Sequence, residues 1–377
     1  MSKTGKAWVM YEPGKMGIEE FPYPTVQKDG IVIRVDAVGI CGSDKHMYKG
    51  NGAVANFPLI PGHEMCGTIE QLGSEYKDNM MIVGAETLKE GDRVILGPGT
   101  KACGKCNTCQ KYPDNPTFCA NRFRYGHESC RNEPHFLGGF GQYLYVMPNS
   151  WIFKMPDTMS STLGAMAEPV CIALRFVERC YSPGFPGLGK GFGTGRTVTV
   201  IGCGPIGLLT MAVLKHAGAG NIIAVDVIPD KLETAKKFGA DVTINGRLPM
   251  EERLELIRKR NGGELSDIVI EAAGVPIAFQ DAIEYVRRGG MVIEGGHFTD
   301  GGPILTNPFK ITFKEADIRG VWASHPVTTR DAINFMERSV IPIEQMATHI
   351  LPFEKGLEGM ELAGGPGVGK VIIKPWE

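Results

Sequence analysis

Along the first 150 residues, apolar positions recur with a period of two. Ile31, Ile33, Val35 and Ala37 alternate with Val32, Arg34 and Asp36, the pattern of a half-buried strand. Glycine and proline punctuate the rest of this stretch, which reads as a series of short strands. From Met166 the texture changes. A helical stretch covers Ala167–Cys180, and a glycine-rich link runs from Pro183 to Arg196. Strand and helix patterns then alternate: Thr197–Ile201, Leu208–Ala217, Asn221–Val225, Lys231–Phe238, Asp267–Glu271, Phe279–Val286 and Met291–Glu294. Such alternation predicts a parallel sheet covered on both faces. A helix near Arg330–Glu337 and a last strand, Val371–Lys374, close the chain. The expectation is an α/β protein, a doubly wound parallel sheet joined to a mostly-β part, with no internal repeat.

Composition narrows the function classes. At about 150 residues per domain, 377 residues suggest two or three domains. Hydrophobic residues make up 43% and charged residues 22%, and the net charge is −2, which excludes a disordered chain. With 40 basic against 42 acidic residues there is no cationic excess for nucleic acid. Met1–Gly14 has no apolar stretch of the kind found in a signal peptide. The uncharged window Thr197–Leu214 holds Gly202, Gly204, Pro205 and Gly207, breakers that suit a strand, turn and helix better than a membrane span. A cytoplasmic location and no membrane partner are expected. Four of the ten cysteines crowd into residues 103–119, which in a chain without an export signal points to metal rather than disulfides.

Residues 196–213 read RTVTVIGCGPIGLLTMAV, in which a β-branched run enters Gly202-Cys-Gly204-Pro205-Ile206-Gly207 and an apolar helix leaves it. In that context the glycine pattern is a dinucleotide fingerprint. Gly202 makes the tight turn, Gly204 lets a pyrophosphate approach the backbone, and Gly207 lets helix and strand pack closely. The helix start offers unpaired N–H groups to the anion. A second strand ends at Asp226, a carboxylate suited to ribose hydroxyls and repulsive to a 2′-phosphate, and no arginine occurs among residues 227–229. NAD is therefore expected over NADP. Gly184–Lys190 and Gly364–Lys370 both fit G-x-x-x-x-G-K, but Gly191 and Val371 stand where a phosphate loop needs Ser or Thr.

Two sets of residues have metal-ligand chemistry. Cys103-x2-Cys106-x2-Cys109-x9-Cys119 offers four thiolates to one ion, a closed structural zinc site. The spacing after Cys109 departs from ferredoxin motifs, which disfavours an iron–sulfur cluster. The second set is dispersed: Cys41, His63, Glu64 and Glu168. Thiolate, imidazole and carboxylate together suit a catalytic zinc with a position open to water or substrate.

These residues resemble the zinc-dependent medium-chain dehydrogenases. The motifs are Gly-Ile-Cys41-Gly-Ser43-Asp44 with His46, Pro61-Gly-His63-Glu64, Gly91-Asp-Arg93-Val94, the four-cysteine lobe, Gly139-Gly-Phe-Gly-Gln-Tyr143, Glu168-Pro169, the Gly202–Gly207 fingerprint and Glu271-Ala-Ala-Gly274. The resemblance covers nearly the whole chain. It implies a GroES-like catalytic domain from residues 1–170 and 324–377, with a zinc lobe near 100–120, and a Rossmann NAD-binding domain from 171–323. Glu168 in place of a cysteine ligand resembles the polyol, threonine and sugar dehydrogenase branch, and Cys171 is read as packing. The implied activity is NAD-linked oxidation of a secondary alcohol or polyol to a carbonyl, with two zinc ions per chain, one catalytic and one structural. Ser43 and His46 are expected to relay the proton, and either Glu64 or Glu168 to complete the catalytic ligand set. Lys231 resembles a lysine on the adenosine ribose, and Lys370 a late basic residue on the pyrophosphate. The family also implies a homodimer or homotetramer acting on a small alcohol.

Three stretches are longer than the family pattern: Ser74–Lys89, Gly184–Arg196 and Ala120–Leu137. The last carries Arg122, Arg124, His127, Arg131 and His135, five potential cations suited to an anionic substrate group. The competing reading is a solvated loop or subunit contact, with Asp114, Glu128 and Glu133 as nearby counter-charges. Two rival functions remain at this point: an NADPH-dependent zinc carbonyl reductase, which Asp226 disfavours, and a non-catalytic dinucleotide sensor, which the full set of zinc-type residues disfavours.

Overall fold

The computed structural model describes residues 3–52, 55–112, 115–181 and 191–377. Asp114, the Gly184–Lys190 motif and most of the Gly184–Arg196 extension lie outside them. The chain divides into two compact units. One comprises Met1–Cys171, Ser324–Arg338 and Glu344–Glu377; the other comprises Ile172–Ala323 and Ser339–Ile343. This is the GroES-like and Rossmann pairing of a mixed α/β chain.

The first unit is built on an eight-stranded sheet. In spatial order its strands are Ala347–Pro352, Lys370–Lys374, Ile31–Gly39, Glu64–Leu72, Arg93–Thr100, Ser150–Lys154 and Met81–Val83, with Tyr143–Val146 also paired to Ile31–Gly39. The Ile31–Gly39 strand is buried on both faces apart from Arg34 and Asp36, because other strands and loops cover what the alternating pattern left as an outer face. Trp8 Nε1 donates to the Phe353 carbonyl at 2.7 Å and ties the first strand to the C-terminal segment. Register matters most at one end of this sheet. Gly39 pairs with Glu64 on one side and with Ile372 on the other. The loop after Gly39, the start of the Glu64 strand and the start of the Lys370 strand therefore meet at a single edge.

The second unit carries a six-stranded parallel sheet. Its spatial order is Val242–Asn245, Asn221–Asp226, Thr197–Ile201, Ser266–Glu271, Val286–Glu294 and Asp317–Gly320. Counted along the chain this is 3-2-1-4-5-6, the doubly wound order that binds dinucleotides at the crossover between its halves. Helices begin earlier than apolar periodicity indicates: at Pro205 rather than Leu208, Pro229 rather than Lys231, and Pro276 rather than Phe279. Each starts with proline, whose fixed φ and missing N–H fit the first helical position. The window Thr197–Leu214 resolves into a strand, a turn and a helix, and among the described residues no helix is long and apolar enough to cross a membrane.

One tyrosine fixes the path of the chain from the cysteine lobe back to the sheet. Tyr125 is fully buried; its hydroxyl lies 2.6 Å from Ser150 Oγ and accepts the Met147 N–H at 2.9 Å. Tyr125→Phe leaves that buried N–H without an acceptor, so the expected loss of stability is about 1–3 kcal/mol. A lower denaturant midpoint at unchanged slope is the result that checks it.

Candidate active site

The sheet edge described above gathers one donor set. Cys41 follows the Ile31–Gly39 strand and sits at the N-cap position of the short helix Gly42–Tyr48. His63 and Glu64 open the neighbouring strand. Ligand atoms of Cys41, His63 and Glu64 all lie within 4.8 Å of one another. Glu168, in the first turn of Ala167–Cys180, is not one of that close group but is coupled to it electrostatically: burial raises its carboxyl, the His63 charge lowers it and the Glu64 charge raises it further. Burial alone would lower the His63 imidazole, but the charges of Asp44, Cys41 and Glu168 outweigh it and raise it well above its ordinary value. A site that pulls a proton onto a buried histidine is a site that favours a cation. His63 Nδ1 is buried without a hydrogen-bond partner. Thiolate, imidazole and carboxylate donors of this kind fit zinc.

Asp44 holds the set together. It is fully buried, accepts the Cys41 N–H at 2.9 Å and the Gly62 N–H at 3.2 Å, and lies 3.8 Å from His63 Nδ1. One carboxylate thus bridges the two loops that carry Cys41 and His63. Its place three residues after Cys41 was a capping signal, but sequence reasoning gave it no role. Lys370, expected at the pyrophosphate, has its ammonium buried 2.6 Å from Glu64 Oε1, because the register of its strand brings it to the metal end of the sheet. Ser43 Oγ is buried beside Cys41 without a hydrogen-bond partner. His46 is half-buried at the far end of the same helix, with Nδ1 3.1 Å from Asn51 Oδ1.

The four-cysteine lobe closes on itself. The Cys106 thiol is 3.3 Å from Cys109 Sγ, Cys103 and Cys109 sulfurs are 3.8 Å apart, and the Cys103 N–H donates to Cys119 Sγ at 3.3 Å. Backbone N–H groups of Lys105 and Cys106 pull the Cys103 thiol down to about 6, favouring the thiolate a metal requires. Cys119 joins the group despite its longer spacing, and Cys171 instead packs in the core with its sulfur 3.3 Å from Thr329 Oγ1.

The loop beyond the lobe splits into two halves. In the distal half, Arg131 forms a forked pair with Glu19 at 2.9 and 3.2 Å, and His135 stacks on Phe21 with centroids 5.1 Å apart. In the proximal half, Gly126 lies against Gly62 with no room for a side chain, and the His127 ring is 5.9 Å from the His63 ring. Burial and then the His63 charge lower His127 to about 4, so it is neutral.

In the second unit the fingerprint turn forms as its pattern requires. Gly202 has φ +95°, and a side chain there would strike Ala273. A Cβ on Gly207 would strike the Gly202 carbonyl, whereas one on Gly204 would face open space, as a pyrophosphate cradle demands. Pro205, Ile206 and Gly207 form the first helical turn. Asp226 accepts the Cys203 N–H at 2.7 Å and the Ile228 N–H at 2.9 Å, which fixes its carboxylate beside the turn. Lys231 is close enough to oppose the rise that burial and Asp226 impose on the Cys203 thiol. Sequence reasoning missed a second acidic cluster. Glu271 and Glu294 are register partners on adjacent parallel strands, and His297 Nδ1 lies 3.5 Å from Glu271 and 3.0 Å from Glu294. Parallel register is not readable from one sequence.

A family profile described as "Alcohol dehydrogenase GroES-like domain" matches residues 27–157, and one described as "Zinc-binding dehydrogenase" matches 205–338. Sorbitol dehydrogenase of Bacillus subtilis is 33% identical over 362 residues, covering 95% of this chain and 93% of the relative. An alcohol dehydrogenase of Thermotoga maritima superposes with a TM-score of 0.90 at 27% identity, covering 99% of this chain and all of the other. A zinc-binding dehydrogenase of Sinorhizobium meliloti, solved bound to NADP, superposes with a TM-score of 0.83 at 25% identity over 99% of this chain and 100% of the other.

Burial, and next the charge of Glu294, push the Glu271 carboxyl up to about 8. The folded state thus holds a proton that the unfolded chain releases near 4.5, so this group stabilises the fold below about pH 4.5 and the contribution is lost as pH rises toward 8. Glu271→Gln keeps the neutral form. Thermal unfolding from pH 5 to 8.5 should show the variant gaining on the parent as pH rises, by at most about 1.4 kcal/mol per unit.

Proposed function

The chain belongs to the zinc-dependent medium-chain dehydrogenases, in the branch of the sorbitol dehydrogenases, and from that premise we propose that it is an NAD-linked enzyme oxidising a secondary alcohol or polyol to a carbonyl with two zinc ions per chain. The observation that carries this reading is the buried Cys41–His63–Glu64 donor set with Glu168 and its Asp44 brace. Zinc in such a site lowers the pKa of an alcohol hydroxyl and polarises a carbonyl.

The chain's own residues supply the rest. Asp44 orients the Cys41 and His63 loops. Lys370 pairs with Glu64, which leaves Glu168 as the carboxylate able to enter or leave the ligand set. Ser43 Oγ accepts the hydroxyl proton of the substrate as it releases its own, which His46 passes on to solvent. The four-cysteine lobe holds the structural ion. In the second unit the N–H groups of the first helical turn bind the pyrophosphate, Asp226 the adenosine ribose, and Lys231 supports that end. The carboxylate of Asp226 favours NAD, even though a relative in solved form carries NADP. Exposed Leu305, Phe309 and Phe313 support assembly as a homo-oligomer, whose contacts would cover them.

Absorbance at 340 nm tests the reading. NAD reduction with a secondary alcohol should vanish on chelation and return with zinc. Ser43→Ala should lower kcat about 10²-fold or more at unchanged zinc content. Asp226→Ser should raise the NADP-to-NAD ratio of kcat/KM. Turnover that survives complete zinc removal would refute it.

A further inference from the structure

The half-loop between the cysteine lobe and His127 holds cations whose purpose the dehydrogenase chemistry does not explain. Arg122 and Arg124 are two residues apart on a segment whose intervening and following side chains, Phe123 and Tyr125, pack edge-to-face with centroids 5.0 Å apart. The backbone bends at Arg122 and pairs only once, Arg124 with Gly99, before turning at Tyr125. The backbone is pinned at several points. Thr100 N–H donates to the Phe123 carbonyl, Phe123 N–H to Thr100 Oγ1, and the Tyr125 hydroxyl is held by Ser150 and Met147. Gly126 and His127 then bring the segment against Gly62 and His63.

Both arginines are half-buried, yet among the described residues no carboxylate, carbonyl or aromatic ring engages either guanidinium. The contrast with Arg131 in the same loop is direct, since that residue has its forked carboxylate partner in Glu19. Neither Arg122 nor Arg124 has a sealed, unpartnered nitrogen, so both guanidinium groups stand open to an incoming acceptor. Burial and the neighbouring Arg124 disfavour the Arg122 charge, while Cys119 and, less strongly, Glu168 favour it, so Arg122 lies within electrostatic reach of both the cysteine lobe and the metal donor set.

We propose that Arg122 and Arg124 form the recognition site for an oxyanion group, a carboxylate, sulfonate or phosphate, carried by the same small molecule whose alcohol is oxidised at the Cys41–His63–Glu64–Glu168 cluster. This deepens the dehydrogenase reading and rests on it. Planar guanidinium forks match the paired oxygens of such groups, and two forks on one rigid segment fix the distance between the anion and the reacting carbon. The substrate class is then a hydroxy acid or its sulfonate or phosphate counterpart rather than a neutral polyol.

The test uses matched three-carbon diols: 1,2-propanediol, glycerate, 2,3-dihydroxypropane-1-sulfonate and glycerol 1-phosphate, with sorbitol, gluconate and sorbitol 6-phosphate as a longer set. The zinc-loaded enzyme should prefer one anionic member of a set over its neutral counterpart in kcat/KM, and which one identifies the oxyanion. Arg124→Gln should lower the anionic-to-neutral ratio about 10–100-fold, mainly through KM, and Arg124→Lys should restore part of it. Calorimetry of the anionic compounds with the zinc-loaded protein gives a readout independent of turnover, and Arg124→Gln should abolish that binding. Equal or better use of the neutral compounds, or an unchanged ratio in the variants, overturns the proposal. So does loss of zinc from the four-cysteine lobe in Arg122→Gln without a change in ratio, which would make that residue a shield for the Cys119 thiolate. Absence of NAD reduction with every compound defeats the dehydrogenase reading instead, and the calorimetric result then decides the anion site.

Discussion

Four acidic side chains gather at one end of the first unit's sheet. Cys41, Asp44, Glu64 and Glu168 meet there, opposed by Lys370 and by an imidazole driven toward its charged form. Buried anions are tolerated only when paired or bound to metal. The surrounding architecture serves that requirement. The register of three strands sets Cys41, Glu64 and Lys370 side by side, Asp44 uses backbone N–H groups to lock two loops, and the start of a helix delivers Glu168. A divalent cation at this point would be held by these side chains and would be the Lewis acid the reaction needs.

The second unit solves a separate problem with fewer parts. A tight turn, an open cradle at Gly204 and a carboxylate held by two N–H groups form at the crossover of a 3-2-1-4-5-6 sheet. The Glu271 loop packs against that turn through Ala273, so the acidic cluster with Glu294 and His297 borders the dinucleotide crevice, and its protonation belongs to the same surface.

Much of this was legible along the chain because the signals are local. The glycine turn, the acid at the end of the next strand and the closely spaced cysteines are short-range signals, and the structure brings each group together. The dispersed donor set was legible as residue types but not as geometry. What escaped was whatever depends on register or on long-range pairing. Lys370 resembles a phosphate contact because it is late and basic, and its pairing with Glu64 comes only from strand register. Glu294 sits opposite Glu271 only through parallel register. The basic loop read as one feature, but Arg131 and His135 are consumed by packing while Arg122 and Arg124 are not, a division that only side-chain partners expose.

The central claim is that two metal sites of different chemistry exist, one of sulfur alone and one of mixed donors. Zinc stoichiometry combined with zinc-edge X-ray absorption tests it directly, on the parent and on Cys41→Ala. The account predicts two zinc ions per chain, with a first shell averaging sulfur and lighter donors, and one remaining ion in pure four-sulfur coordination after Cys41→Ala. A parent that binds a single ion, or a variant that keeps both with an unchanged spectrum, would contradict it.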